Sequence, residues 1–156
     1  MAKFAVTNGS SGQAIAASYK TLLTTYASSG TQALRRGKWF DVMFGTNGTP
    51  ADNYMQWDIS RITASGTATA GTINPLDTAD ASAAALSGIN NTGEPTVTSS
   101  SSLINIGVNQ RASYRWVAAP GGELMFPATA SNGLALRALS GGYTGTATGT
   151  THFEEQ

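Results

Sequence analysis

The sequence predicts an all-β chain, a single β-sandwich of jelly-roll type with roughly eight to ten strands and at most one short helix. Short runs of alternating apolar and polar residues recur along the chain. Gly, Pro and Asn clusters separate them at fairly regular intervals, the grammar of strands joined by turns. Neither a βαβ alternation nor a repeat of fixed period is present.

Taken in order, Lys3–Thr7 is a short extended run, closed by the flexible cluster Asn8-Gly9-Ser10-Ser11-Gly12. Residues 1–12 are therefore expected to form a flexible N-terminal arm and residues 13–156 the sandwich. Ile15–Tyr26 carries both a helical spacing and a high threonine content, and a strand within Tyr19–Thr25 is favoured. Arg35–Phe44 is a strong strand, with Phe40, Val42 and Phe44 as its expected core face opposite Trp39, Asp41 and Met43. After the turn at Gly45–Pro50, Tyr54–Thr63 places Met55, Trp57, Ile59 and Arg61 on one face. Gln56, Asp58, Ser60 and Ile62 lie on the other.

Asp80–Leu86 is the one credible helical turn outside the Ile15–Tyr26 run, capped by Asp80 or Ser82. Ser99–Ser102 reads as a loop or strand edge, and Leu103–Val108 as a strand with Ile104, Ile106 and Val108 inward. Tyr114–Val117 and Glu123–Phe126 flank Ala119-Pro120-Gly121-Gly122. A hairpin there would face Trp116 to Met125 and Val117 to Leu124, as the rigid centre of the sandwich. Leu134–Leu139 and the threonine-rich Tyr143–Phe153 complete the strands.

Composition narrows the function. Ala, Thr, Gly and Ser make up roughly half of the chain, far from ordinary globular usage. Charged residues are 12% of the 156 and the formal net charge is zero. Thirteen aromatic side chains (three Trp, five Tyr, five Phe) argue for a packed core rather than disorder. Neutrality weighs against nucleic-acid binding, which needs a basic footprint. Cysteine is absent, so disulfides and thiolate metal sites are excluded. No apolar run approaches membrane-helix length, and Met1-Ala2-Lys3-Phe4 leads into a strand-like run. The expectation is a soluble chain, made in a cytoplasm, with no membrane or nucleic-acid partner.

Catalytic and metal motifs are missing. His152 is the sole histidine, and with Glu154 it makes at most half of a metal site. Asp77 and Asp80 fit turn or cap hydrogen bonding better than calcium. Neither a nucleophile elbow nor a phosphate loop occurs, so neither an enzyme nor a cofactor is expected. Asp41 and Asp58 are read as an exposed strand face or as arginine partners. The sequons at Asn8, Asn47 and Asn90 are read as turn residues. Arg35, Arg36 and Lys38 form one basic cluster, suited to a solvated face or to an acidic patch on a neighbouring subunit. Arg111, Arg115 and Arg137 are placed for stacking or bidentate pairing. Trp39 and Trp116 suit core or subunit-interface packing, with a sugar-stacking surface as the alternative.

Several segments resemble a family of small virion proteins of tailed phages: MAKFAVT, the run Phe44–Asn53, WDISRITASGTAT, NPLDTADASA and GEPTVT. The likeness continues through NQRASYRWVAAPGGELMFPATASNGLALRA, YTGTA and the terminal Phe153-Glu154-Glu155. The resemblance implies a β-sandwich, commonly oligomeric, that decorates or cements the capsid. Its implied partners are the major capsid protein and copies of itself, as a trimer, on the virion surface after synthesis in the host cytoplasm. Phe4, Arg35, Arg36, Lys38, Trp39, Arg111, Arg115 and Trp116 are the expected subunit or capsid contacts. A carbohydrate-binding module on the virion, with Trp39, Trp57 or Trp116 as platform, and a tail or neck component are the alternatives.

Overall fold

A computed structural model describes residues 1–30 and 32–156. Among the described residues there are thirteen strands, beginning with β1 (Lys3–Thr7), β2 (Gln13–Ala14), β3 (Lys20–Tyr26), β4 (Gly37–Gly48), β5 (Tyr54–Ala64), β6 (Thr67–Ala70) and β7 (Asn74–Pro75). Then follow β8 (Leu86–Gly93), β9 (Thr96–Asn109), β10 (Tyr114–Val117), β11 (Leu124–Phe126), β12 (Gly133–Leu139) and β13 (Gly145–Glu155). The count exceeds the expected eight to ten because β2, β7 and β11 are only two or three residues long.

Two antiparallel sheets pack face to face. One has the order β10-β4-β13-β1-β7, with β11 also on β4 and β2 on β13, and the other is β6-β8-β3-β12-β5-β9. The core between them is built by alternation. Met55, Trp57 and Ile59 of β5 point inward beside Leu134 and Leu136 of β12, all at most 2% exposed. They meet Phe4, Val42, Phe44 and Phe153 from the opposite sheet. Phe44 stacks on Trp57 across the gap at 4.2 Å between ring centroids. Ile104, Ile106 and Val108 of β9 pack half-buried against the same core, in the inward orientation expected for them.

Four expectations are corrected. Residues 1–12 are no arm: Lys3–Thr7 lies inside the seven-stranded sheet, paired with β13 on one side and β7 on the other. Its Phe4 and Val6 are buried, and this apolar alternation makes the segment a core strand. Asp80–Leu86 forms no helix, and none occurs among the described residues. Glu155 takes the amide protons of Ala84 and Ala85 at 3.0 and 2.6 Å, and Leu86 enters β8.

The third correction concerns Tyr114–Phe126, which is neither a hairpin nor the centre of the molecule. Both β10 and β11 pair with β4, end to end along its free edge, so Trp116 lies opposite Val42 and Leu124 opposite Trp39. The fourth is the core face of β4. The register slips at Phe40, so Phe40 and Asp41 together oppose His152 while Trp39 opposes Phe153. This β-bulge flips the alternation. Trp39 points inward with Val42 and Phe44, its indole N–H donating to Thr25 Oγ1 at 2.5 Å, and Phe40 turns to the half-buried outer side.

Candidate functional site

The same bulge gathers the densest chemistry of the seven-stranded sheet on its outer face. Asp41 is 4% exposed and lies beneath Arg115, which stands opposite Met43 on β10 and reaches Asp41 diagonally. The guanidinium donates from Nε to Oδ1 at 2.9 Å and from Nη2 to Oδ2 at 2.7 Å, a bidentate fork. His152 of β13 places Nδ1 3.0 Å from Asp41 Oδ2, and its ring lies 6.1 Å from that of Phe40. Lys3 Nζ sits over the Phe40 ring at 5.5 Å. Hydrogen bonding to Arg115 outweighs the opposing effect of burial, so the Asp41 carboxyl is held below the usual carboxylate value and the Arg115 pKa is raised.

An aspartate orienting a histidine makes two of the three members of a hydrolytic triad, and among the described residues no hydroxyl is hydrogen-bonded to His152. Two hydroxyls of this sheet are engaged elsewhere: Thr150 donates to Thr7 at 2.9 Å, and Thr7 to the Gly149 carbonyl at 3.1 Å. Among the described residues no cluster of three or more His, Cys, Asp or Glu is arranged to hold a metal. Glu154 faces Lys38 at 3.5 Å instead of joining His152. The arrangement fixes charge and side-chain position, which suits recognition.

On the outer face of the other sheet, Asp58 is 1% exposed. Arg137 approaches it at 2.6 Å, and Ser60 and Asn105 donate at 2.6 and 2.9 Å. Ser102 donates as well, and the Arg137 guanidinium lies 4.5 Å from the centre of the Tyr19 ring. Burial pushes the Asp58 carboxyl upward, but the hydrogen bonds from Ser102, Ser60, Asn105 and Arg137 outweigh it, and the net direction is down. Both aspartates are thus arginine partners, and neither is exposed.

The expected contact residues do not form one surface. Phe4 and Trp39 are 1% and 0% exposed, so neither side chain lies on the surface; both belong to the core because their strands alternate inward. Trp57 is likewise buried at 2%, and Trp116 is half-buried against the core, which leaves no fully exposed tryptophan as a sugar platform. Arg35 and Arg36 are exposed. Arg111 reaches Asp52 at 3.3 Å across the exposed Pro50–Asn53 turn. Asp77 Oδ1 accepts the Ala79 amide at 2.9 Å, a turn contact.

Asn8 is buried, accepting from the Gly149 amide and donating to Asn90, whose φ of 52° marks a kink in β8. Asn47 stands in β4 rather than in a turn. The sequence reading missed the partnership of Asp41 with His152, which lie 111 positions apart. His152 lies on an interior strand, since β13 is flanked by β4 and β1.

One exposed surface is the sheet edge formed by β10 and β11. Tyr114, Val117 and Met125 on β10 and β11 are 40%, 58% and 43% exposed, and Arg115 on β10 is exposed as well. No known protein family, curated protein or solved structure matches the chain.

Proposed function

We propose that this chain is a capsid decoration (cement) protein of a tailed phage, a non-enzymatic sandwich that binds the outer surface of the shell and stabilises it. In this reading its partners are the major capsid protein and copies of itself, as a trimer, and it resides on the virion surface. The observation that carries the reading is the β10–β11 edge, where exposed Val117 stands next but one to an arginine already oriented by Asp41, and exposed Tyr114 and Met125 lie along the same edge. Aromatic and arginine side chains held rigid at a sheet edge are the make-up of a protein-contact surface. The low charge elsewhere suits close packing of many copies.

The test is co-sedimentation of purified chain with tailed-phage capsids lacking their decoration protein. Saturable binding to expanded shells, and a rise in the temperature at which they rupture, are the expected results. Binding to glycans or to isolated tails with none to shells would overturn the reading. Arg115→Glu combined with Val117→Asp should weaken shell binding by about tenfold or more, since the two changes place like charge and an unpaired carboxylate in the contact.

A further inference from the structure

We propose that copies of this chain join head to tail, the Leu76–Asp80 loop of one copy seating in a cleft on the opposite edge of the next. The cleft, about 370 Å³, opens where β11 and the ends of β5 and β9 leave the side of the sandwich uncovered. Ile62 and Phe126, each 1% exposed, are its apolar base, and Met125 and Pro127 are exposed beside them. Arg36 and Arg61 also line it, and no carboxylate does. The six ion pairs among the described residues engage other cations, leaving these two arginines without a carboxylate. Such a cleft is complementary to an apolar side chain with carboxylates beside it.

The chain carries that ligand itself. Leu76 is 51% exposed and is followed by Asp77 and Asp80, neither of which has an ion-pair partner among the described residues. The loop is already shaped: the Leu76 amide donates to the Lys3 carbonyl at 2.8 Å, and the Asp80 amide to the Asp77 carbonyl at 3.0 Å. The Ala79 amide donates to Asp77 Oδ1, leaving Oδ2 for a partner. A preformed loop loses little freedom on docking.

Position supplies the last argument. Leu76 follows β7 at one edge of the seven-stranded sheet, and the cleft borders β11 at the other. No copy can fill its own cleft, so the contact is heterologous and propagates until rotation closes a ring. This adds the contact between copies to the assembly role proposed above, and shell binding is measured separately so that the two succeed or fail independently.

The experiment is sedimentation velocity on the full chain and on four variants. These are Leu76→Ser, Arg36→Glu/Arg61→Glu, Asp77→Lys/Asp80→Lys, and the quadruple charge swap. All the substituted positions lie on the surface, and circular dichroism verifies folding. Wild type should self-associate. Leu76→Ser and each double variant should weaken association by about tenfold or more, and the quadruple swap should restore it. A monomeric wild type would overturn the proposal, as would variants that associate as tightly as wild type or a quadruple swap no better than either double. Self-association that survives while shells go unbound would overturn the capsid reading and leave the head-to-tail contact standing.

Discussion

Two aspartates, Asp41 and Asp58, sit almost fully covered on the outward faces of opposite sheets; Asp41 is kept ionised chiefly by Arg115, and Asp58 by hydrogen bonds from Ser102, Ser60, Asn105 and Arg137. They differ in what surrounds the pair. Arg137 is itself only 15% exposed, whereas Arg115 is 60% exposed and shares its carboxylate with half-buried His152. Asp58→Ala strands a nearly buried guanidinium and removes the acceptor of Ser60, Ser102 and Asn105, so it should cost about 3–5 kcal/mol in urea unfolding. Arg115→Ala should cost less. Both carboxyls have folded pKa values below the ordinary 3.8. The unfolded chain therefore binds more protons through that range, and the stabilisation is complete above the ordinary carboxylate value. It is lost as pH falls through the folded values. The urea midpoint should hold steady from about pH 7 to 5 and drop below about pH 4, and Asp58→Asn should shrink the drop. Gly133 is a third critical position, at the start of β12 between β3 and β5. A Cβ there would collide with the backbone carbonyl of Thr25, which cannot move without parting the strands. Gly133→Ala should thus destabilise by about 1–3 kcal/mol or more.

The elements show why an outer-face cluster and a free edge exist on this sheet. One extra residue at Phe40 lets β4 send Trp39 inward and Asp41 outward toward His152, and it coincides with the gap between β10 and β11. The Ala118 amide still reaches the Phe40 carbonyl at 2.9 Å, after which the chain swings out through Pro120 and Gly121 and returns at Leu124. Residues 119–122 are a detour, not a register-setting turn. Inserting two glycines between Gly121 and Gly122 should cost less than about 1 kcal/mol in chemical denaturation, because lengthening an exposed loop costs only its closure entropy. In a tight hairpin the same insertion would disturb the pairing. These features mark the limit of what alternation conveys. Met55, Trp57 and Ile59 were legible because β5 keeps strict period two through its core half. Trp39 was misassigned because a bulge leaves no residue-type signature in RRGKWFDVMF. The Pro-Gly-Gly cluster announced a turn correctly, but not that both flanking strands would choose β4 over each other. Ala84 and Ala85 have helical propensity, yet the Glu155 carboxylate, 70 and 71 positions away, takes their amides. Of the candidate site, the arginine partnership of Asp41 and Asp58 was open to sequence reasoning, while the choice of arginine and the inclusion of His152 depended on long-range register.

At the scale of the whole molecule, the first and last strands are neighbours. Lys3–Thr7 pairs with Thr150–Glu154, and Phe4 meets Phe153 at 5.5 Å between ring centroids. The chain therefore completes its seven-stranded sheet only when both ends are present, and a strand that reads as a detachable arm occupies an interior position. Deleting Met1–Thr7 would remove Phe4 and Val6 from the core, each worth about 1.5–3 kcal/mol of burial. It would also unpair one side of β13 and the whole of β7, and open the core over Phe153 to water. Against a total stability of about 5–15 kcal/mol for a domain of ordinary kind, the lost burial and the unpaired strands together remove a large part of it. The truncated chain should lose its cooperative thermal transition and its near-ultraviolet circular dichroism, and it should bind a hydrophobic dye that the full chain excludes. A truncated chain that unfolds cooperatively within a few degrees of the full one would show instead that β1 is peripheral, a strap laid on a sandwich that β4 and β13 close without it. The outcome also bears on assembly. The Lys3 carbonyl that anchors the Leu76 amide belongs to the deleted strand, so loss of β1 should release the loop that we propose for docking between copies.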